Sequence, residues 1–371
     1  MNKLRITILG VLVLAILFLY LNSRLYKPLR VDYPPVFSSF VKVLCKHKSL
    51  CITVYPVSFS IPAQWVVDRV PERKNLSFAL IEPGVMNTYI YGPFDYSRYL
   101  DDYRKSYFAI TRKKAGWDCM RHYEILASGT IPWFLDLNLM PPRQNVFLPK
   151  KLLLDAQNLA GVSFHSRAID FQVFDERKYR RMAETLLDIT RKYLTTTAMA
   201  SYVLEVCGHP VSSIRRGGIL YIHPNLNDYL ADTIAHGMYT LLGPDLFYEA
   251  PTYYRFLFEF PNGTTREEEE TYRRQQYGYG YSYAFTLPFN QNFMNKDRSS
   301  QTIERLIQEK FFDLIIYGDI HREGAYLQTV LEHYGPQDIV FLDGQDAHNE
   351  MSDDVMWMYA SRGWYFRREL D

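Results

Sequence analysis

Short apolar runs alternating with longer stretches of helical spacing constrain this chain more than any other feature. Residues 77–81, 107–111 and 131–135 read as short buried strands. Between the last two, residues 118–128 have helical spacing, with Asp118 placed to cap the start and Gly129 to stop the end. Residues 175–206 form one long helical stretch, closed by Cys207-Gly208-His209-Pro210. The rhythm then resumes: strand 218–222, helix 228–242 stopped by Gly243-Pro244, strand 245–249, strand 313–317, helix 325–333 and strand 338–342. Strands joined through helices pair in parallel, because a parallel neighbour needs a crossover long enough to hold a helix. The expected class is α/β with two Rossmann-like domains, residues 41–207 and 208–371, divided after the long helix.

An N-terminal transmembrane helix is expected ahead of them. Residues 6–22, ITILGVLVLAILFLYLN, carry no charge; Lys3 and Arg5 precede them, and Arg24, Lys27 and Arg30 follow. A spanning helix needs roughly 17–25 apolar residues. The apolar part of a cleaved signal peptide is usually about 7–15 residues and ends at small residues, which Leu21-Asn22-Ser23-Arg24 does not supply. Residues 1–5 then form a short tail, 6–22 the anchor in the membrane, and 23–40 a basic, proline-containing stem. A short tail before a large C-terminal part predicts a type II single-pass protein of the Golgi or endoplasmic reticulum. The sequons Asn75-Leu76-Ser77 and Asn262-Gly263-Thr264 are compatible with a luminal domain. Cys45 and Cys51 either close a small loop there or remain free thiols; the spacing leaves both open.

With 42 basic and 41 acidic residues, the chain has no charge excess for a nucleic-acid surface, so nucleic acid is not an expected partner. Its 30 tyrosines suit a carbohydrate site, but tyrosine also fills cores with its hydroxyl satisfied at the edge. The stretch TREEEETYRRQQ, residues 265–276, places acids ahead of bases at helical spacing and reads as a solvated helix.

The residues most suited to chemistry follow the strand at 107–111. Arg112, Lys113 and Lys114 lead through Gly116 into the helix at 118–128, which carries Arg121 and Glu124 three apart on one face. In open parallel sheets ligands sit beyond the carboxyl ends of the strands, and a helix N-terminus there favours a phosphate. The carboxylate of Glu124 is suited to hold two ribose hydroxyls, and Gly129 allows a close backbone approach. The run Arg121-His122-Tyr123-Glu124-Ile125-Leu126-Ala127-Ser128-Gly129-Thr130-Ile131-Pro132 resembles the donor-site motif of GT-B glycosyltransferases in its exostosin-like form. The resemblance implies a GT-B-like fold and a hexosyl- or pentosyl-transferase. Glu124 would be the ribose ligand, Lys114 and Arg121 the diphosphate ligands, and Gly129 the close-approach glycine. It implies a nucleotide-sugar as donor substrate with no tightly bound cofactor, and a glycan, glycoprotein or other hydroxyl as acceptor. The donor-type half would precede the acceptor-type half, the reverse of the usual order. Residues 215–223 with Asp228, Tyr229, His236 and Gly237 resemble the opening of an acceptor domain, and residues 365–370 resemble a segment that precedes the donor domain in some bacterial relatives.

A competing pattern lies in the second half. Gly318-Asp319-Ile320-His321 follows one expected strand, and Leu342-Asp343-Gly344-Gln345-Asp346-Ala347-His348-Asn349-Glu350 follows the next. Carboxylates and imidazoles at strand ends resemble the calcineurin-like metallophosphoesterases and suit a two-metal hydrolase. That family needs further histidines downstream, and none follows Glu350. In a transferase the same region supplies the base that takes the acceptor proton. Asp228, His321 and Asp346 are the expected catalytic residues, with His236, Asp319 and His348 as further candidates. The 278–283 run, Gly278-Tyr279-Gly280-Tyr281-Ser282-Tyr283, reads either as an aromatic loop at the acceptor site or as a turn. A third reading is an inactive, tethered binding protein on the same scaffold.

Overall fold

The computed structural model describes residues 41–47, 50–215, 217–224, 226–251, 255–276, 281–346 and 352–370. In chain order the strands are β1 (Lys42–His47), β2 (Leu50–Pro56), β3 (Leu76–Phe78), β4 (Ser106–Thr111), β5 (Ile131–Phe134), β6 (Val162–Ser163), β7 (Ala168–Ile169), β8 (Ile219–Ile222), β9 (Phe247–Ala250), β10 (Leu314–Tyr317), β11 (Ile339–Asp343) and β12 (Trp364–Arg367). The α-helices are α1 (Tyr96–Arg104), α2 (Met120–Ala127), α3 (Lys150–Gln157), α4 (Glu176–Ile189), α5 (Thr196–Val206), α6 (Tyr229–Leu246), α7 (Arg266–Gln276), α8 (Gln291–Met294), α9 (Ser300–Gln308), α10 (Leu327–His333) and α11 (Asp353–Ala360).

Among the described residues the strands form three sheets. The largest has the order β1-β2-β12-β11-β10-β8-β9; only the β1–β2 edge pair is antiparallel. A second sheet is the parallel trio β3-β4-β5, and β6–β7 is a small antiparallel pair. The period of two along a strand sends alternate side chains to opposite faces. In the larger sheet Ile219, Tyr221, Leu314, Ile316, Val340, Leu342 and Phe366 join a core shared with Phe108, Ile131 and Tyr179. Leu220, Ile222, Ile315, Tyr317, Ile339, Phe341 and Tyr365 point the other way, into a second core under α9, α10 and α11. Burial on both faces explains why these strands are near-continuous apolar runs.

The chain is thus a mixed α/β fold with a mostly parallel sheet, and three expectations need correction. The N-terminal transmembrane helix is not supported: among the described residues no helix is long and apolar enough to cross a membrane. The single-pass, type II Golgi or endoplasmic-reticulum placement falls with it. Residues 6–22, on which it rested, lie outside the described residues, as do 1–5 and 23–40. Next, the expected 41–207 unit does not keep its first strands. β2 pairs with β12 through Val54–Tyr365 and Tyr55–Phe366, so both ends of the described chain feed the larger sheet. Finally, the long helix at 175–206 is broken. A π-turn at Thr190–Leu194 leads to an extended Thr195, which caps α5 by accepting a hydrogen bond from the Ala198 N–H. The question left open by Cys45 and Cys51 is answered: they form a disulfide across the β1–β2 hairpin.

Candidate functional site

The parallel strands of the two main sheets direct their carboxyl ends at one cavity of about 520 Å³. From the smaller sheet come Ile81 after β3, Lys114 and Gly116 after β4, and Cys119, Arg121 and Glu124 at the start of α2. From the larger sheet come Phe59 after β2, Asp228 and Tyr229 after β8, Arg322 after β10, Asp346 after β11 and Arg368 after β12. Strand order in the larger sheet reverses at β8, which has β9 on one side and β10 on the other. Crevices at such switch points are where open parallel sheets bind ligands, because flanking loops diverge there.

The fold therefore brings together five of the seven residues expected from sequence: Lys114, Arg121, Glu124, Asp228 and Asp346. Gly129 and His321 lie elsewhere. Gly129 closes α2 with φ near 66°. Its N–H donates to Leu126 O at 3.0 Å and the Thr130 N–H to Ile125 O at 3.3 Å, a Schellman ending that favours glycine. A Cβ there would press on Pro71 and Val70, not on a ligand. The glycine that lines the cavity is Gly116, where a Cβ would lie 2.5 Å from Glu369 Oε1 and 2.8 Å from Asp346 Oδ1. His321 turns away, with Nε2 at 3.0 Å from the Tyr365 hydroxyl and 3.5 Å from Asp343 Oδ2.

On the α2 side the polar groups are buried and incompletely paired. Arg121 is 9% exposed; Nη2 reaches the Tyr89 hydroxyl at 3.4 Å, and Nη1 has no hydrogen-bond partner among the described residues. Glu124 is equally buried and accepts a hydrogen bond from the Tyr99 hydroxyl at 2.6 Å; burial pushes its carboxyl above the usual range. No described ion pair joins Arg121 to Glu124 across their shared face. Cys119, at the N-cap of α2, gives the first turn no side-chain hydrogen bond. Tyr89, Tyr91, Tyr99 and Tyr281 complete an aromatic wall, and Tyr281 is held by its hydroxyl donating to Gly92 O at 2.8 Å.

Asp118 does not cap α2 as expected. Its Oδ2 accepts from the Phe59 N–H at 2.7 Å and its Oδ1 from the Tyr123 hydroxyl at 2.6 Å, which ties the segment after β2 to the helix. Burial raises it to about 6, against the opposing pull of Arg368. Arg368 is the matching tie from the other end of the chain. It donates to Asp118 O and Gly344 O, pairs with Glu369 and Asp346, and lies over the Phe59 ring.

The charges on the larger sheet's side are matched. Asp228 caps α6 by accepting from Leu230 N and Ala231 N and pairs with Arg322 at 2.8 Å. Behind it, buried Asp232 accepts from Tyr283 and faces His223 Nε2 at 2.9 Å. His223 Nδ1 faces Pro224 O, an acceptor only, so Nδ1 carries its hydrogen. Asp346 is partly exposed, and its one described partner is Arg368.

Among the described residues the metal-hydrolase pattern is not assembled. Asp319 accepts from His321 N and from Gln345 Nε2, and burial lifts it to about 7. Asp343 accepts from Gln345 N, Tyr365 and Arg367. Protein donors thus take up the oxygens a metal would need, and among the described residues no group of three or more His, Cys, Asp or Glu side chains is arranged to hold a metal ion. His348 lies outside the described residues. His236 also faces elsewhere, between the Thr196 and Thr286 hydroxyls.

Sequence reasoning missed the tyrosines at 89, 91 and 99, and it missed Arg322 and Arg368. Their signal exists only in the tertiary fold. Comparison with protein-family models, with curated proteins and with solved structures finds no match to this chain.

Proposed function

We propose that the cavity binds a nucleotide-sugar and that the chain is a glycosyltransferase acting on a hydroxyl acceptor. The observation that carries the reading is Arg121: a buried guanidinium with an unpartnered Nη1, in a cavity whose other charges are mostly matched. Arg322 and Arg368 are each tied to carboxylates, which leaves Arg121 and Lys114 as the cavity cations with no ion pair among the described residues. Both sit beside the N-terminus of α2, where backbone N–H groups add to the attraction for a diphosphate. Glu124, presented by Tyr99, suits the ribose hydroxyls, and the tyrosine wall suits the flat faces of a base or sugar.

In this reading the acceptor oxygen attacks the anomeric carbon while its proton passes to the Asp346 carboxylate. The bond from that carbon to the diphosphate oxygen breaks, and the nucleoside diphosphate leaves with the electron pair. Lys114 and Arg121 hold the charge that develops on it. Asp346 suits the base because it is partly exposed to the cavity and neither caps a helix nor anchors backbone, whereas Asp228 and Asp118 do and Glu124 is buried against Tyr99.

The test is a thermal-shift screen of the full chain against UDP, GDP, CMP and ADP. A ligand at 100 times its Kd adds about 2.7 kcal/mol of stability, a readily measured rise in Tm. One nucleotide is expected to raise the Tm of the wild type and not of Glu124→Gln. A flat response to all four removes the reading.

A further inference from the structure

A second cavity of about 510 Å³ lies toward the far end of α6 from Asp228. It is an open cleft lined by residues 62–64, the start of α5, the second half of α6 and residues 286–290. Its volume falls within the range of small-molecule sites, about 300–1,000 Å³.

Its chemistry differs from that of the first cavity. None of its lining residues is Asp, Glu, Lys or Arg. Its one imidazole is fixed as neutral. The Thr286 hydroxyl spends its hydrogen on Tyr283 O at 2.5 Å, so His236 Nε2 must donate to Thr286, and Nδ1 then accepts from Thr196 at 3.0 Å. Burial holds this ring down to about 3. The α5 N-terminus offers no anion hole either, because the Thr196 and Ala198 N–H groups are taken by Ile61 O and the Thr195 hydroxyl.

What remains is uncharged hydrogen-bonding capacity beside an aromatic face. Gln64 is exposed at the cavity's edge and Tyr239 is buried, and neither side chain hydrogen-bonds a described residue. Asn290 commits only its Oδ1, to Phe293 N. Phe289 is half-buried and stacks on no other described ring. Amides and hydroxyls that both donate and accept, next to a free ring face, match a ligand with many hydroxyls and no charge.

We propose that this second cavity binds a neutral saccharide. The assignment stands on the cavity's own residues and does not depend on the nucleotide-sugar reading of the first.

The experiment is saturation-transfer NMR and calorimetry on the full chain with lactose, maltotriose, cellotriose and chitotriose, and with glucose 6-phosphate as the charged counterpart. At least one neutral sugar is expected to bind, and glucose 6-phosphate not to compete with it. Phe289→Ala and Gln64→Glu should each weaken binding by about tenfold or more. Melting curves of both variants check that they fold, and Gln64→Ala serves if the added charge unfolds the chain. Arg121→Ala should leave saccharide binding unchanged, which separates this site from the first cavity. The proposal is overturned if no neutral sugar binds, if binding survives both Phe289→Ala and the Gln64 variant, or if Arg121→Ala abolishes it.

Discussion

The two walls of the larger cavity handle buried charge in opposite ways. On the side of the larger sheet, Asp343 is held by Tyr365, Arg367 and the Gln345 N–H, and Asp228 by two helix N–H groups and Arg322. On the side of α2, Arg121 is also buried but keeps an unpartnered Nη1. A buried polar group with its partners in place holds the fold together. One without them carries a desolvation cost that a ligand can relieve. The comparison separates charge satisfied within the fold from charge that is not, where residue type alone does not.

Substituting one arginine on each wall sharpens that difference. Arg367→Met leaves Asp343 buried without its cation and should cost about 3–5 kcal/mol in urea unfolding. Arg121→Met removes a guanidinium that no carboxylate pairs with, so stability should change by no more than about 1 kcal/mol, while nucleotide affinity falls by about 10- to 100-fold in calorimetry. Equal destabilisation by the two variants would erase the distinction between the walls.

The pH dependence of stability gives a smaller effect. Burial raises Asp118 to about 6, so the folded state holds this proton more tightly than the unfolded state does. Its contribution is fully present below the ordinary carboxylate value of about 4 and is lost as pH rises through about 6, by of order 3 kcal/mol. Asp118→Asn should remove that decline, read as the difference between the two unfolding-versus-pH curves. Parallel curves would contradict the assignment. Asp232, raised to about 6 by burial, contributes equally to both proteins and cancels.

Gly129→Ala sets the smallest scale. A side chain at positive φ costs about 1 kcal/mol, and its Cβ would press on Pro71, so stability should drop by about 1–2 kcal/mol with nucleotide affinity unchanged. A selective loss of affinity would return Gly129 to the binding site.

The same contrast explains what the sequence could and could not reveal. The central strands were readable because burial on both faces makes them unbroken apolar runs, as at 219–222 and 339–343. Arg121 and Glu124 were readable because helical spacing places them on one face near a basic turn. The partnership of β2 with β12 was not, since nothing local in either strand names a neighbour some 300 residues away; nor was Arg368, whose contacts with Asp118 and Asp346 exist only once that pairing forms. His321 misled for the opposite reason: its local pattern fits a metal loop, but its side chain turns toward Tyr365. Gly129 misled because helix stops and ligand loops both call for glycine.

Turnover is the decisive test of sugar transfer at this cavity. The full chain would be incubated with UDP-, GDP- and CMP-sugars and a panel of glycan acceptors, with release of the nucleotide measured alongside glycosylated product. One donor should be consumed, and Asp346→Asn should lower kcat by about 100-fold or more while nucleotide affinity is retained. If no donor is consumed, or if Asp346→Asn turns over at the wild-type rate, the cavity's chemistry is not the one assigned to it.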